Sequence, residues 1–177
     1  NFGLVCGEVV LSASSRVNAV GVLPNPSISV GFRAMVGHLL ALGPIDASAD
    51  PMSNATGGSI TLNGLNLFVA GTLTANGING GSGGYINLSA PLMMANEGTL
   101  SARAISTGTR GGSGGTVSLA VTSFLGELRN RGAIDVSGSA VSCGECTGGS
   151  GGSVRLTTAS TALINDAAIT ARGGDGD

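Results

Sequence analysis

Two short signatures alternate along most of the chain, and their recurrence restricts it to an architecture built from repeats. The first, Gly-Gly-x-[Ile/Val]-x-Leu, occurs as Gly57-Gly58-Ser59-Ile60-Thr61-Leu62, Gly83-Gly84-Tyr85-Ile86-Asn87-Leu88, Gly114-Gly115-Thr116-Val117-Ser118-Leu119 and Gly151-Gly152-Ser153-Val154-Arg155-Leu156. The second, [Gly/Ala]-x-[Ile/Leu]-x-[Ala/Val], falls at Gly43–Ala47, Gly71–Ala75, Gly98–Ala102, Gly132–Val136 and Ala167–Ala171. The first-signature anchors Ile60, Ile86, Val117 and Val154 are 26, 31 and 37 residues apart. The variation falls in the Gly-Ser tracts, where a corner can lengthen without disturbing a strand.

Both signatures set apolar residues two apart with polar ones between, the period of a strand with one buried face. A helix needs spacings of three and four. Between the signatures lies a third apolar patch: Leu65–Val69, Leu92–Met94, Phe124–Leu128 and Leu163-Ile164. Three short strands with turns per repeat match one coil of a parallel β-helix, in which no coil buries its inward face alone and each stacks on its neighbours. The stacking predicts one inward column of Ile60, Ile86, Val117 and Val154. A second holds Ile45, Leu73, Leu100, Ile134 and Ile169, with Ala47, Ala75, Ala102 and Ala171 beside it at the tighter corner. Thr61, Asn87, Ser118 and Arg155 face outward. An antiparallel sandwich also has short strands and frequent turns, but it does not require like residues at equivalent offsets in successive repeats. The expected fold is therefore all-β: a solenoid of about six coils with Gly-rich corner loops.

Residues 43–177 read as regular repeats and 1–42 as irregular N-terminal coils of the same solenoid. In the latter, Gly7–Leu11 and Ser27–Val30 read as strands, yet their anchors Val9 and Ile28 are only 19 residues apart. Ala34–Leu42 is a helix or a buried strand, since an apolar run this short does not distinguish the two. Beyond Gly173-Gly174-Asp175-Gly176-Asp177 a further coil is due, and Cys6–Leu11 resembles the strand that would follow. Both end coils are expected to be open, stacking either on adjoining repeats of a longer chain or head to tail on other copies.

Composition narrows the partners. Of 177 residues 32 are Gly and only 10% are charged, and mean hydropathy is +0.38, the reverse of a chain that stays disordered through charge. Eight basic residues, all Arg, against ten acidic ones give a net charge of −2, with no basic patch to hold phosphates. Nucleic acid is excluded as an expected partner. No run approaches the roughly 18 apolar residues of a membrane span, and no basic-then-apolar leader is present, so the chain reads as mature or as a fragment.

No residue set points to bond-making chemistry. His38 is the one His, and it sits in an apolar run without an acidic residue close in sequence, so it reads as a packed or surface side chain rather than a triad member. Asp46 and Asp135 occupy equivalent outward positions, but Thr74, Ser101 and Thr170 fill the others, which leaves no carboxylate ladder for cleaving polysaccharide. The C-terminal Gly-Gly-Asp-Gly-Asp matches part of a calcium-binding repeat, yet the internal tracts carry Ser where Asp is needed. The Gly-Gly-Ser-Gly-Gly tracts are not phosphate loops either, because no Lys-Ser/Thr follows and a strand comes next. No catalytic residue, metal ligand or cofactor is expected. Asn54-Ala55-Thr56 and Asn87-Leu88-Ser89 fit the N-glycosylation pattern, making Asn54 and Asn87 candidate acceptors in a glycosylating host.

Asn96-Glu97-Gly98-Thr99-Leu100-Ser101-Ala102, Asn130-Arg131-Gly132-Ala133-Ile134-Asp135-Val136-Ser137-Gly138 and Asn165-Asp166-Ala167-Ala168-Ile169-Thr170-Ala171-Arg172-Gly173 resemble the Asn-x-Gly-x-Ile-x-Ala-x-Gly repeats of filamentous-haemagglutinin-like bacterial surface proteins. The Gly-Gly-Ser-Gly-Gly insertions at 80–84, 111–115 and 148–152 are longer than such repeats usually carry, and are shared with other Gly-rich extracellular β-helices. The resemblance covers about residues 43–177 and implies a right-handed β-helix, export, adhesion and a filament-like shape. In an exported protein Cys143 and Cys146, two ligands where zinc needs four, read as a local disulfide, leaving Cys6 unpaired or bonded to a neighbour. The expected function is a non-catalytic structural or adhesive module of an extracellular cell-surface filament. Its partners would be copies of itself or adjoining repeats, with surface glycans as a further candidate. The alternative is a carbohydrate-binding or carbohydrate-cleaving β-helix, whose groove would need aromatics and clustered charge; Tyr85 and four Phe are all the aromatics present.

Overall fold

The computed structural model describes residues 2–19, 28–52, 54–106, 108–142, 146–160 and 162–176. Cys143 and the neighbouring residues 144 and 145 lie outside these, as does Ser27. The described chain is all-β, without a helix. Successive strands visit three sheets in turn and then return to the first, so that parallel strands stack as a β-solenoid.

The first sheet is formed by Phe2–Cys6, Ser29–Ala34, Ser59–Asn63, Tyr85–Ala90, Thr116–Val121 and Ser153–Thr158. The second holds Val9–Leu11, His38–Ala41, Asn66–Val69, Met93–Asn96, Glu127–Asn130 and Ala162–Asn165. The third holds Val17–Asn18, Ile45–Asp46, Leu73–Thr74, Leu100–Ser101, Ile134–Asp135 and Ile169–Thr170. A small fourth ladder pairs Gly77–Ile78 with Ala104–Ile105 where the corner loops lengthen. Every pairing is parallel. Parallel strands cannot be joined by a tight hairpin, and here the rest of each coil serves as the crossover.

Register follows the anchors. Val30, Ile60, Ile86, Val117 and Val154 pair in sequence through the first sheet. Ile45, Leu73, Leu100, Ile134 and Ile169 do so through the third. All but Val154 and Ile169 are essentially inaccessible to solvent. A third column, Val9, Leu39, Leu67, Met94, Leu128 and Leu163, comes from the second sheet, and Leu4, Phe32, Leu62, Leu88, Leu119 and Leu156 form a fourth. Burying an aliphatic side chain is worth about 1.5–3 kcal/mol, and each column repeats that gain at every rung.

The two signatures meet at one corner. The amide of the second Gly in each pair donates to the carbonyl that ends the third-sheet segment of its own coil: Gly58 to Ala47 (2.7 Å), Gly84 to Ala75 (2.6 Å), Gly115 to Ala102 (2.7 Å) and Gly152 to Val136 (2.7 Å). Neighbouring coils are so close there that a Cβ on Gly84 would fall on the Gly58 carbonyl, and one on Gly115 on the Gly84 carbonyl. Glycine is required for this approach whatever its backbone angles. Ala47, Ala75 and Ala102, fully buried beside it, are small for the same reason.

The N-terminal residues differ from their reading in sequence. Val9–Leu11 lies in the second sheet, whereas the strand matching the Gly-Gly signature is Phe2–Cys6, paired with Ser29–Ala34. That is why Val9 and Ile28 are spaced so oddly: Val9 is in the second sheet, whereas Ile28 lies just ahead of the first-sheet strand Ser29–Ala34, whose inward anchor is Val30. Ala34–Leu42 contains the end of one strand, a bend and the strand His38–Ala41, not a helix. Phe124 and Leu125 are exposed turn residues, and the strand of the third patch starts at Glu127.

Candidate functional site

Inside the corner between the second and third sheets, the Asn residues of the repeats stack. Asn96 Nδ2 donates to Asn130 Oδ1 at 2.7 Å, Asn130 Nδ2 to Asn165 Oδ1 at 2.7 Å, and Asn165 Nδ2 to the Ala167 carbonyl at 3.0 Å. Asn96 and Asn130 are fully buried. The column below Asn96 is Val69, Ala41 and Leu11, and Asn96 Oδ1 is left buried without a partner. Just outside this ladder Arg131 lies 3.6 Å from Glu97 and 3.8 Å from Asp166, and Arg129 lies 3.7 Å from Asp166. These pairs are about half exposed and contribute little to stability.

The outer polar residues fall into two kinds. On the third sheet they satisfy one another. Asp46 Oδ1 accepts from the Ser48 amide, and Ser48 Oγ from the Asn76 amide. Asn76 Oδ1 accepts from Ser101 Oγ and the Arg103 amide, and Asp135 Oδ1 accepts from both the amide and the hydroxyl of Ser137. Asp46 and Asp135 are therefore loop-fixing groups, separated in their column by Thr74 and Ser101.

The first sheet is different. Its outward columns over three consecutive rungs are Ser59, Tyr85 and Thr116, then Thr61, Asn87 and Ser118, then Asn63, Ser89 and Ala120. None is ionisable except the Tyr hydroxyl. Among the described residues none of these side chains hydrogen-bonds to another protein group. A groove of about 510 Å³ runs along the Gly-Gly edge of this face, lined by Tyr85, Ser59, Thr116 and the paired glycines. Two further shallow cavities border the opposite edge, one at Asn63 and Ser89, the other at Ser118, Ala120 and Thr157.

Of the other residues singled out in sequence, Cys146 is disulfide-bonded and Cys6 is a free thiol whose Sγ donates to the Glu8 carbonyl at 2.9 Å. The expected pairing of Cys146 with Cys143 involves a residue outside those described. Asn54 is exposed and outside any strand, whereas Asn87 is half-buried in the middle of a paired strand. His38 is exposed at the edge of its strand, with Nδ1 3.2 Å from Asn66 Nδ2. Among the described residues no three His, Cys, Asp or Glu converge.

No family model, curated protein or solved structure matches the chain. The residues of the Asn ladder and of the neutral face are both visible in the repeat motifs of the sequence. Their signal was positional: Asn96, Asn130 and Asn165 stand two residues before the last three second signatures, and Thr61, Asn87 and Ser118 separate the anchors of rungs three to five.

Proposed function

We propose that this chain is a non-catalytic structural or adhesive module of an extracellular, cell-surface filament. The observation that carries the reading is the exposure of inward columns at the two ends of the stack. Phe2 and Leu4 are 53% and 42% exposed at one end, and Leu163 and Ile169 are each 40% exposed at the other, although their in-register neighbours are buried. A further coil stacked in register would cover them, whether from adjoining repeats or from another copy. Heterologous contact of this kind propagates into a filament.

The finer description is a right-handed β-helix of about six coils. Six-stranded sheets support the count. Handedness rests on chain physics, since parallel strands joined by a crossover wind right-handed in ~98% of cases. The Asn-x-Gly motif adds its resemblance to filamentous-haemagglutinin-like repeats, and the disulfide state of Cys146 fits an oxidising, exported setting.

Sedimentation velocity over a range of concentrations, with electron microscopy of the same samples, tests the reading. Particles that lengthen with concentration at constant width are expected. A compact monomer at every concentration would remove head-to-tail stacking, and glycan hydrolysis would remove the non-catalytic assignment.

A further inference from the structure

We infer that the outer face of the first sheet, between Arg33 and Arg155, is a binding site for an extended, uncharged polysaccharide lying along the solenoid axis. The inference rests on the adhesive reading and gives it a ligand class. Three features coincide on this face and nowhere else among the described residues. First, three consecutive rungs carry no formal charge, while the same columns hold Arg33 on one side and Arg155 on the other. No acidic or basic side chain lies within these three rungs, so the ligand segment that covers them needs no charge of its own.

Second, its hydroxyl and amide groups are free of protein partners, unlike those of the third sheet. Ser, Thr and Asn side chains both donate and accept, which suits sugar hydroxyls that do the same. Third, Tyr85 stands 41% exposed beside the groove that the Gly-Gly pairs line. An aromatic ring offers an apolar face for the C–H side of a pyranose and a hydroxyl at its rim. The glycines themselves are explained by coil packing, so the groove is a consequence of the fold that the ligand uses.

Spacing selects the polymer over a single sugar. Rungs lie ~4.8 Å apart, close to the length of one residue in an extended β-1,4-linked chain, so each coil meets one sugar and alternate sugars present opposite edges. Ser59, Tyr85 and Thr116 would contact one edge of three sugars, and Thr61, Asn87 and Ser118 the next.

The chain contains one Tyr and no Trp, so intrinsic fluorescence reports Tyr85 alone. The test titrates the protein with β-1,4-linked hexamers of glucose, mannose and N-acetylglucosamine, and with the hexamer of galacturonic acid as the charged counterpart. Saturable change with at least one neutral hexamer and none with the uronate is expected. Ser118→Arg reproduces a side chain that Arg155 already places in that column, so it folds; it should weaken binding at least tenfold, as should Tyr85→Ala read by calorimetry. Asp46→Ala on the third sheet should leave binding unchanged. Absence of binding to every neutral hexamer at millimolar concentration, equal binding of the uronate, or indifference to Ser118→Arg overturns the inference. Sedimentation of the same samples keeps the two readings apart: assembly without binding defeats only this site, and binding without assembly defeats only the filament.

Discussion

Asn96 donates from Nδ2 to Oδ1 of Asn130 at 2.7 Å across 34 residues of sequence, and both side chains are fully buried. A buried amide is costly unless its groups are paired, so stacking like residues at one position in successive coils solves the problem by repetition.

Replacing Asn130 by Ala removes both of its ladder bonds and leaves the Asn96 amide without an acceptor. The expected loss is about 3 kcal/mol, from unsatisfied burial together with a small cavity. Asn165→Ala, at the exposed end of the ladder, should cost about 1 kcal/mol or less. Urea unfolding followed by circular dichroism measures both, and equal losses would show that the ladder does not stabilise the interior.

The Gly-Gly corner makes a sharper prediction. Gly84→Ala drives a Cβ into the Gly58 carbonyl, and neither backbone has room to shift without breaking the ladder. Failure to fold, or a loss above about 3 kcal/mol, is expected. Gly108, where a Cβ meets nothing within 4 Å, is the control. Gly108→Ala should be neutral or stabilise by up to about 1 kcal/mol. Thermal unfolding of the two variants decides the matter.

Position along the stack should grade the cost of truncating the apolar columns. Leu100→Ala, fully buried with a paired strand on either side, should destabilise by about 2–5 kcal/mol. Ile169→Ala, 40% exposed in the last strand of the same column, should cost about 1 kcal/mol. Amide hydrogen exchange offers a second measure: the strands at both ends should exchange before Tyr85–Ala90 and Thr116–Val121.

Thiol counting tests the covalent arrangement. With Cys146 disulfide-bonded and Cys6 free, the native protein should react with one equivalent of a thiol reagent under denaturing conditions without reductant, and with three after reduction. Peptide mapping should then place the label on Cys6 before reduction. Three reactive thiols at the outset would remove the disulfide.

Much of the solenoid was legible because its physics is periodic. Ile60, Ile86 and Val117 declare themselves by alternation with polar neighbours, and the Gly-Gly pair before each marks where backbones crowd. Residues 1–42 were harder to read. Phe2–Cys6 carries Phe2 at the anchor and Gly3 in place of the outward polar residue, so the signature points instead to Val9–Leu11, which is a second-sheet strand. The Asn ahead of each of the last three second signatures was visible as a motif but not as a ladder, since nothing local tells a capping Asn from one that reaches the next coil.

From its sequence alone the protein is a stacked, all-β repeat with defined inward columns, because side-chain alternation and corner glycines are short-range constraints that each repeat carries within itself. Only the tertiary structure decided which outer face is self-satisfied and which is free, and which column members lie exposed at the ends. Those properties arise when residues 26 to 37 positions apart are brought side by side, and a single strand holds no record of the neighbours it will acquire.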